Sequence, residues 1–217
     1  MYKRQKENYL ECFKEFAADV RRALKQPAFP IVTAQINRVI NHPEGAPTNA
    51  AWDLLREAQR QAARTIPGVS VISTLDCGLS DCIHNHSAAN LVIGERLAAL
   101  ALGQVYGHEI KCLHPDLKWA KRVNKRAIDL VFANVDERLA FEVIAPSCLP
   151  FTVRDLAGTV PLVRVKLPRR DIIRLELGRD LDGQATVTGA PGTNPPFVVP
   201  FDICGHRPML AFTARVR

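Results

Sequence analysis

No stretch of eighteen apolar residues runs uninterrupted by charge, and the opening Met-Tyr-Lys-Arg-Gln-Lys-Glu places positive charges with no apolar core behind them. These absences predict neither a membrane span nor an intact signal peptide, and no membrane partner. Cysteine is sparse. The six (Cys12, Cys77, Cys82, Cys112, Cys148, Cys204) form no Cys-x-x-Cys pair, so a disulfide scaffold or a paired-cysteine zinc module is not expected. What is present is ordinary globular composition, with 47% hydrophobic and 24% charged residues. The net charge of +7 is uneven: residues 1–106 carry 12 Lys+Arg against 10 Asp+Glu, and residues 107–217 carry 17 against 12.

In the first half, Leu10, Phe13, Ala17, Val20 and Leu24 follow steps of three and four, which predicts an amphipathic helix over 6–25. A β-branched apolar run, 29–37, reads as a buried strand. Asn49 is placed to cap a helix to about Arg64, Val69–Leu75 reads as a second strand, and Ser87 is placed to cap a helix over 88–104, closed by Gly107. Helix and strand in alternation is the rhythm of a parallel sheet with crossover helices, although two strands are few for a sheet. Trp52, Phe13 and Phe16 read as core, and His206 as a turn residue.

After Gly107 the texture changes. Ten of the fifteen prolines lie in 107–217, and the apolar runs become short: 127–132, 139–144, 162–167, 172–177, 186–188, 197–199 and 210–216. Short strands separated by turn residues predict an antiparallel sandwich or jelly-roll module, with the boundary between residues 106 and 107.

The densest polar cluster is Asp76-Cys-Gly-Leu-Ser-Asp81-Cys-Ile-His84-Asn-His86, between a predicted strand and a predicted helix, where open α/β sheets place their ligand crevice. Asp81-x-x-His84 is a spacing at which a carboxylate can accept from one imidazole nitrogen and leave the other as a general base. Taken alone, the commoner reading of four such residues is a turn-capping carboxylate beside a solvent-facing histidine. Cys77, Cys82, His84 and His86 form a lower-ranked zinc reading, since their spacing is not that of structural sites. Lys118, Lys121, Arg122, Lys125 and Arg126 would form one basic stripe on a helix. The strand-like neighbourhood predicts a hairpin instead, over 117–123 and 127–135, and no nucleic-acid partner; a basic β module that attracts acidic glycans is the alternative function.

Leu54-Leu-Arg-Glu-Ala-Gln-Arg60, Ile66-Pro-Gly, Leu75-Asp-Cys-Gly-Leu-Ser-Asp-Cys-Ile-His84, Gly94-Glu-Arg-Leu-Ala98 and Val105-Tyr-Gly107 together resemble the C-terminal half of SGNH (GDSL-like) hydrolases. The likeness is to the sialate O-acetylesterase-like carbohydrate esterases, and covers roughly residues 7–106. It continues more faintly through Gly192-Thr-Asn-Pro-Pro196 and Pro208-Met-Leu-Ala-Phe212, which look like the β module that follows the catalytic domain.

The resemblance implies an α/β fold, a partial flavodoxin-like three-layer sandwich over 1–106, followed by a smaller all-β sandwich over 107–217. It implies a serine esterase that removes O-acetyl groups from sugars without any cofactor or metal, with His84 as general base and Asp81 as its orienting acid. Acetylated carbohydrate is the implied substrate. The family's nucleophile lies in an early Gly-Asp-Ser or Gly-Gln-Ser block, and none of the five serines (Ser70, Ser73, Ser80, Ser87, Ser147) sits in one. Residues 1–5 resemble a translated sequencing-adapter remnant and are left out of fold reasoning. The sequence therefore reads as a fragment that is inactive alone, its partner the N-terminal half of the same domain.

Overall fold

The computed structural model describes residues 8–40, 46–142, 148–196 and 198–217. Helix α1 (Tyr9–Ala23), strand β1 (Ile31–Ala34), helix α2 (Ala46–Thr65), strand β2 (Val69–Ile72) and helix α3 (Ser87–Gln104) follow in the expected alternation. β1 and β2 pair in parallel, Ile31 with Val69 through Ala34 with Ile72. Strand periodicity sends successive side chains to opposite faces. Ile31 and Val69 accordingly join Leu10, Phe13, Ala17 and Ala62 of α1 and α2, while Val32, Ala34 and Ile72 meet Ile93, Leu97 and Leu100 of α3. The result is a two-stranded sheet between helices.

Four local expectations change. Helix α2 begins at Ala46, three residues ahead of Asn49, whose Oδ1 accepts instead from Thr193 N at 3.1 Å and Thr193 Oγ1 at 3.2 Å. The side chain capping α3 is His86, with Nδ1 accepting from Ala89 N at 3.0 Å, so Ser87 is the first helical residue. Phe16 is 54% exposed, because the buried stripe of α1 passes through Phe13 and Ala17. Trp52 is half-buried, with the Arg56 guanidinium 5.5 Å from its ring centroid.

From Asp116 onward the described elements are strands. Strands β3 (Asp116–Asn124), β4 (Ala127–Ala133), β8 (Leu162–Arg169) and β9 (Ile172–Leu177) form an antiparallel sheet in the order β3-β4-β9-β8. A second sheet, β13-β10-β6-β7, contains β6 (Phe151–Asp155), β7 (Gly158–Val160), β10 (Thr186–Gly189) and β13 (Phe212–Arg215). A small third sheet joins β5 (Leu139–Ala140), β11 (Phe201–Asp202) and β12 (Arg207–Pro208). Leu130, Ile173 and Leu175 from the first sheet share one core with Val153, Val187 and Phe212 from the second, as in packed sandwiches.

The hairpin at 116–133 forms as expected, and it divides the basic residues. Lys121 stands opposite Asp129 in the strand register without an ion pair to it, whereas Arg122 reaches the carbonyl of Leu181 at 3.0 Å and Arg126 forms an ion pair with Asp180 at 2.6 Å. Strands β6 and β7 had no counterpart in the predicted runs, and the run at 197–199 is not a strand at its described residues; the pairing segment lies later, at Phe201–Asp202. The expected 139–144 strand is seen at Leu139–Ala140, and residues 143–144 lie outside the described residues. His206 occupies a turn with φ of 48°.

The α/β part and the β part are joined by polar side chains gripping main chain. Arg56, 1% exposed, donates to the carbonyls of Ile36 (3.2 Å), Asn37 (2.8 Å), Ala190 (3.2 Å) and Gly192 (2.6 Å). Gln35 holds both N and O of Ala211, at 2.8 and 3.0 Å. Asp53 accepts from Gly192 N at 2.6 Å and Glu57 from Thr213 N at 2.9 Å. Arg60 donates to Asp116 at 2.7 Å and to the Leu117 carbonyl at 3.1 Å. Leu75, just past β2, is part of the β core.

His114 lies buried at this joint, 2% exposed, with Nδ1 2.8 Å from the carbonyl of Pro208. A carbonyl can only accept, so the proton is on Nδ1, and Nε2 is a buried acceptor with no partner among the described residues. Burial holds the imidazole down at about 4, the Pro208 carbonyl opposing and the charges of Arg96 and Arg207 reinforcing the shift. The neutral ring is thus favoured in the folded state. Above the unfolded value of 6.5 both states are neutral and stability is unaffected. As pH falls from there toward 4, only the unfolded chain takes the proton, and about 3 kcal/mol of stability should disappear. Urea titrations across that window should show a shallower pH slope for His114→Asn than for the parent.

Candidate active site

The polar loop begins where β2 gives way to Ser73, Thr74 and Leu75, all buried. Its entry is fixed by Arg96 of α3, whose guanidinium grips both oxygens of Asp76 at 2.7 and 2.6 Å and reaches the Ser73 carbonyl at 3.2 Å. Asn37, from the segment after β1, donates to the Cys77 carbonyl at 2.9 Å and to Asn85 Oδ1 at 2.7 Å. It therefore ties the two ends of the loop to each other. Buried Arg38 reaches the carbonyls of Leu75 and of Pro195, and Ile40 N donates to the Cys82 carbonyl at 2.8 Å.

Between those ties the chain turns tightly. Leu79 and Asn85 form an antiparallel bridge, and Ser80 N donates to the His84 carbonyl at 2.8 Å. Asp81 at the tip accepts with Oδ1 from the backbone N–H groups of Ile83 at 2.8 Å and His84 at 2.7 Å, leaving Oδ2 at 2.7 Å from His84 Nδ1. The His84 and Ile83 N–H groups, with the His84 ring, hold the Asp81 carboxyl well below the usual carboxylate range. An ionised carboxylate can only accept, so Nδ1 carries the proton and Nε2 presents a lone pair. The His84 and Asp81 side chains are 78% and 51% exposed. The structure therefore sets the pair on open surface.

The loop closes on a contact that requires glycine. A Cβ on Gly78 would lie 2.4 Å from His86 Nε2, and that same imidazole caps α3. Glycine lets the ring lie against the backbone while Nδ1 faces the helix.

Asp81 and His84, paired by spacing in the sequence, stand in contact at 2.7 Å, but the sequence reading missed the residues that hold their loop, Asn37 and Arg38. Asn37 closes the apolar run 29–37 and Arg38 follows it, a placement that by itself marks neither as a loop holder. Arg96 stood within the noted Gly-x-Arg-Leu-Ala motif without a role. The zinc reading of Cys77, Cys82, His84 and His86 is overturned, as no group of three or more metal-binding side chains assembles among the described residues. Cys77 is buried, with burial and the neighbouring Asp76 pushing its thiol up to about 11, while Cys82 is exposed. His86 Nδ1 is engaged in capping.

Residues 1–103 match the carbohydrate esterase family of sialic acid-specific acetylesterases. A crystal structure of a carbohydrate acetylesterase from Xanthomonas citri superposes on 95% of the chain with a TM-score of 0.79 at 18% identity. That likeness is one of fold, and it extends through the β part beyond the matched residues 1–103. The chain spans 46% of the length of that structure. The S-layer protein SbsC superposes with a TM-score of only 0.37 at 10% identity, over 76% of this chain and 19% of that one, and says nothing further about the fold. No curated protein sequence matches the chain.

Proposed function

We propose that the matched segment, residues 1–103, supplies the acid–base half of a serine carbohydrate esterase that removes O-acetyl groups from sugars, its nucleophile and oxyanion donors lying on chain N-terminal to it. The observation that carries this reading is the 2.7 Å contact between Asp81 Oδ2 and His84 Nδ1, which leaves Nε2 open at the junction between β2 and α3. In the completed site a serine hydroxyl donates to Nε2. As its oxygen attacks the acetyl carbonyl, the proton passes to His84, and the imidazolium formed is stabilised by Asp81. The same proton is then given to the departing sugar oxygen, which leaves as the free hydroxyl. Water, deprotonated by the same nitrogen, releases acetate from the acyl-enzyme. Neither metal nor organic cofactor enters these steps.

None of the described serines offers a nucleophile. Ser73 is fully buried, Ser80 Oγ donates to the His84 carbonyl at 3.1 Å, and Ser70 and Ser87 lie in β2 and at the start of α3. The chain alone should therefore hydrolyse 4-nitrophenyl acetate no faster than an equal concentration of free imidazole. Joined to the N-terminal segment of a related esterase, it should gain turnover that His84→Ala removes. Turnover by the chain alone that is lost in His84→Ala would mean that the nucleophile is internal and that the division of labour is wrong.

A further inference from the structure

The sheet β3-β4-β9-β8 turns one face to the core and the other to solvent, and the outer face is organised in two rows. Register places Trp119 beside Val131, Val131 beside Ile172, and Ile172 beside Arg169, an apolar strip ended by a guanidinium. Two residues along, Lys121, Asp129, Arg174 and Lys166 form a parallel charged row. Strand rise separates the rows by about 7 Å, the breadth of a pyranose ring with its exocyclic group. Together with Pro168, and without Lys166, these residues line a cleft of about 320 Å³.

The strip's aromatic is held in place. A register shift between Leu117 and Trp119 leaves Lys118 as the extra residue of a bulge, and its Nζ lies 4.5 Å from the indole centroid. The charges are not balanced. Asp129 is engaged by Arg174 at 2.6 and 2.8 Å and Glu176 by Lys166, whereas among the described residues neither Lys121 nor Arg169 has an ion-pair partner. Both are exposed at the edges of the cleft.

We propose that this cleft is a second, non-catalytic site for an acidic saccharide. The C–H face of a sugar ring lies against Trp119, Val131 and Ile172, and its carboxylate pairs with Lys121 or Arg169. A polynucleotide fits less well, because there is one aromatic for stacking and its phosphates would cross Asp129 and Glu176. The proposal leans on the esterase reading only for the expectation that saccharides are met. No residue of the cleft belongs to the 76–86 loop.

Titration calorimetry on the full chain tests it with sialyllactose, a galacturonate trimer, neutral lactose and a single-stranded oligothymidylate at one ionic strength. At least one acidic sugar should bind about tenfold or more tightly than lactose, and which of the two does so tells a terminal sialate from an internal uronate. Trp119→Ala and the double variant Lys121→Glu/Arg169→Glu should each weaken that binding at least about tenfold. Circular dichroism would check folding, and the double variant, confined to exposed positions, guards against loss of Trp119 unfolding the sheet. His84→Ala should leave the affinity unchanged, so the cleft can fail without the esterase reading and the reverse. Equal affinity for lactose, insensitivity to both substitutions, or tighter binding of the oligothymidylate would each overturn the proposal.

Discussion

Asp81→Asn is expected to lower kcat of the completed esterase by about 10²- to 10⁴-fold while leaving the loop folded. Asparagine can still accept the two backbone N–H groups of Ile83 and His84 with its carbonyl oxygen. Its amide nitrogen then faces His84 Nδ1, where the carboxylate Oδ2 now stands at 2.7 Å. Two donors cannot face each other, so the imidazole moves its proton to Nε2. The nitrogen that should receive the serine proton then already carries one. The tautomer switch is observable in the isolated chain by imidazole ¹⁵N shifts, independently of any turnover. A wild-type ring with the proton on Nε2, or a variant with undiminished kcat, would contradict the assignment of Asp81 as the orienting acid.

Arg56→Ala should be the most destabilising single change at the joint, costing about 3–5 kcal/mol. The substitution removes one buried guanidinium and strands four carbonyls, those of Ile36, Asn37, Ala190 and Gly192, away from water. Burial pulls this guanidinium down to about 10, still well above neutrality, so all these bonds are charge-assisted at pH 7. Arg56→Lys should recover only part of the loss, because an ammonium cannot direct a planar fork to carbonyls from two segments. The midpoint of a urea titration reads both variants. A loss under about 1 kcal/mol for Arg56→Ala would mean that water replaces the side chain and satisfies the four carbonyls.

Much of the fold was legible in residue patterns because those patterns report burial. The α1 stripe, the two apolar strand runs and the alternating runs of β3, β4 and β9 all sit close to where periodicity puts them, since each buries one consistent face. Caps were less legible. Asn49 and Ser87 are good capping residues by type, but Asn49 is drawn away by Thr193, 144 residues distant, and His86 stands one position ahead of Ser87. Strands β6 and β7 were missed because the alternation of Phe151 and Val153 inward with Thr152 and Arg154 outward lasts only four residues, and their register is fixed by partners, β10 for β6 and β6 for β7. At the site, Asp81 and His84 are three residues apart and a local turn brings them together. The side chains that hold the turn, Asn37 and Arg96, come from other elements, and no spacing along the chain announces them.

The joint between the two parts has a consequence for how this protein can diverge. Arg56, Arg38, Gln35, Asp53 and Glu57 reach across it to carbonyl oxygens and amide hydrogens, groups that nearly every amino acid carries. A replacement on the β side changes the side chain but leaves the acceptor or donor where it was, provided the backbone path is kept. The surface opposite these five residues is therefore free to drift without matching changes across the seam. Paired substitutions, the usual statistical trace of two surfaces in contact, should be sparse here and gather at the side-chain pairs, Arg60 with Asp116 and Asn49 with Thr193, although the seam is densely bonded.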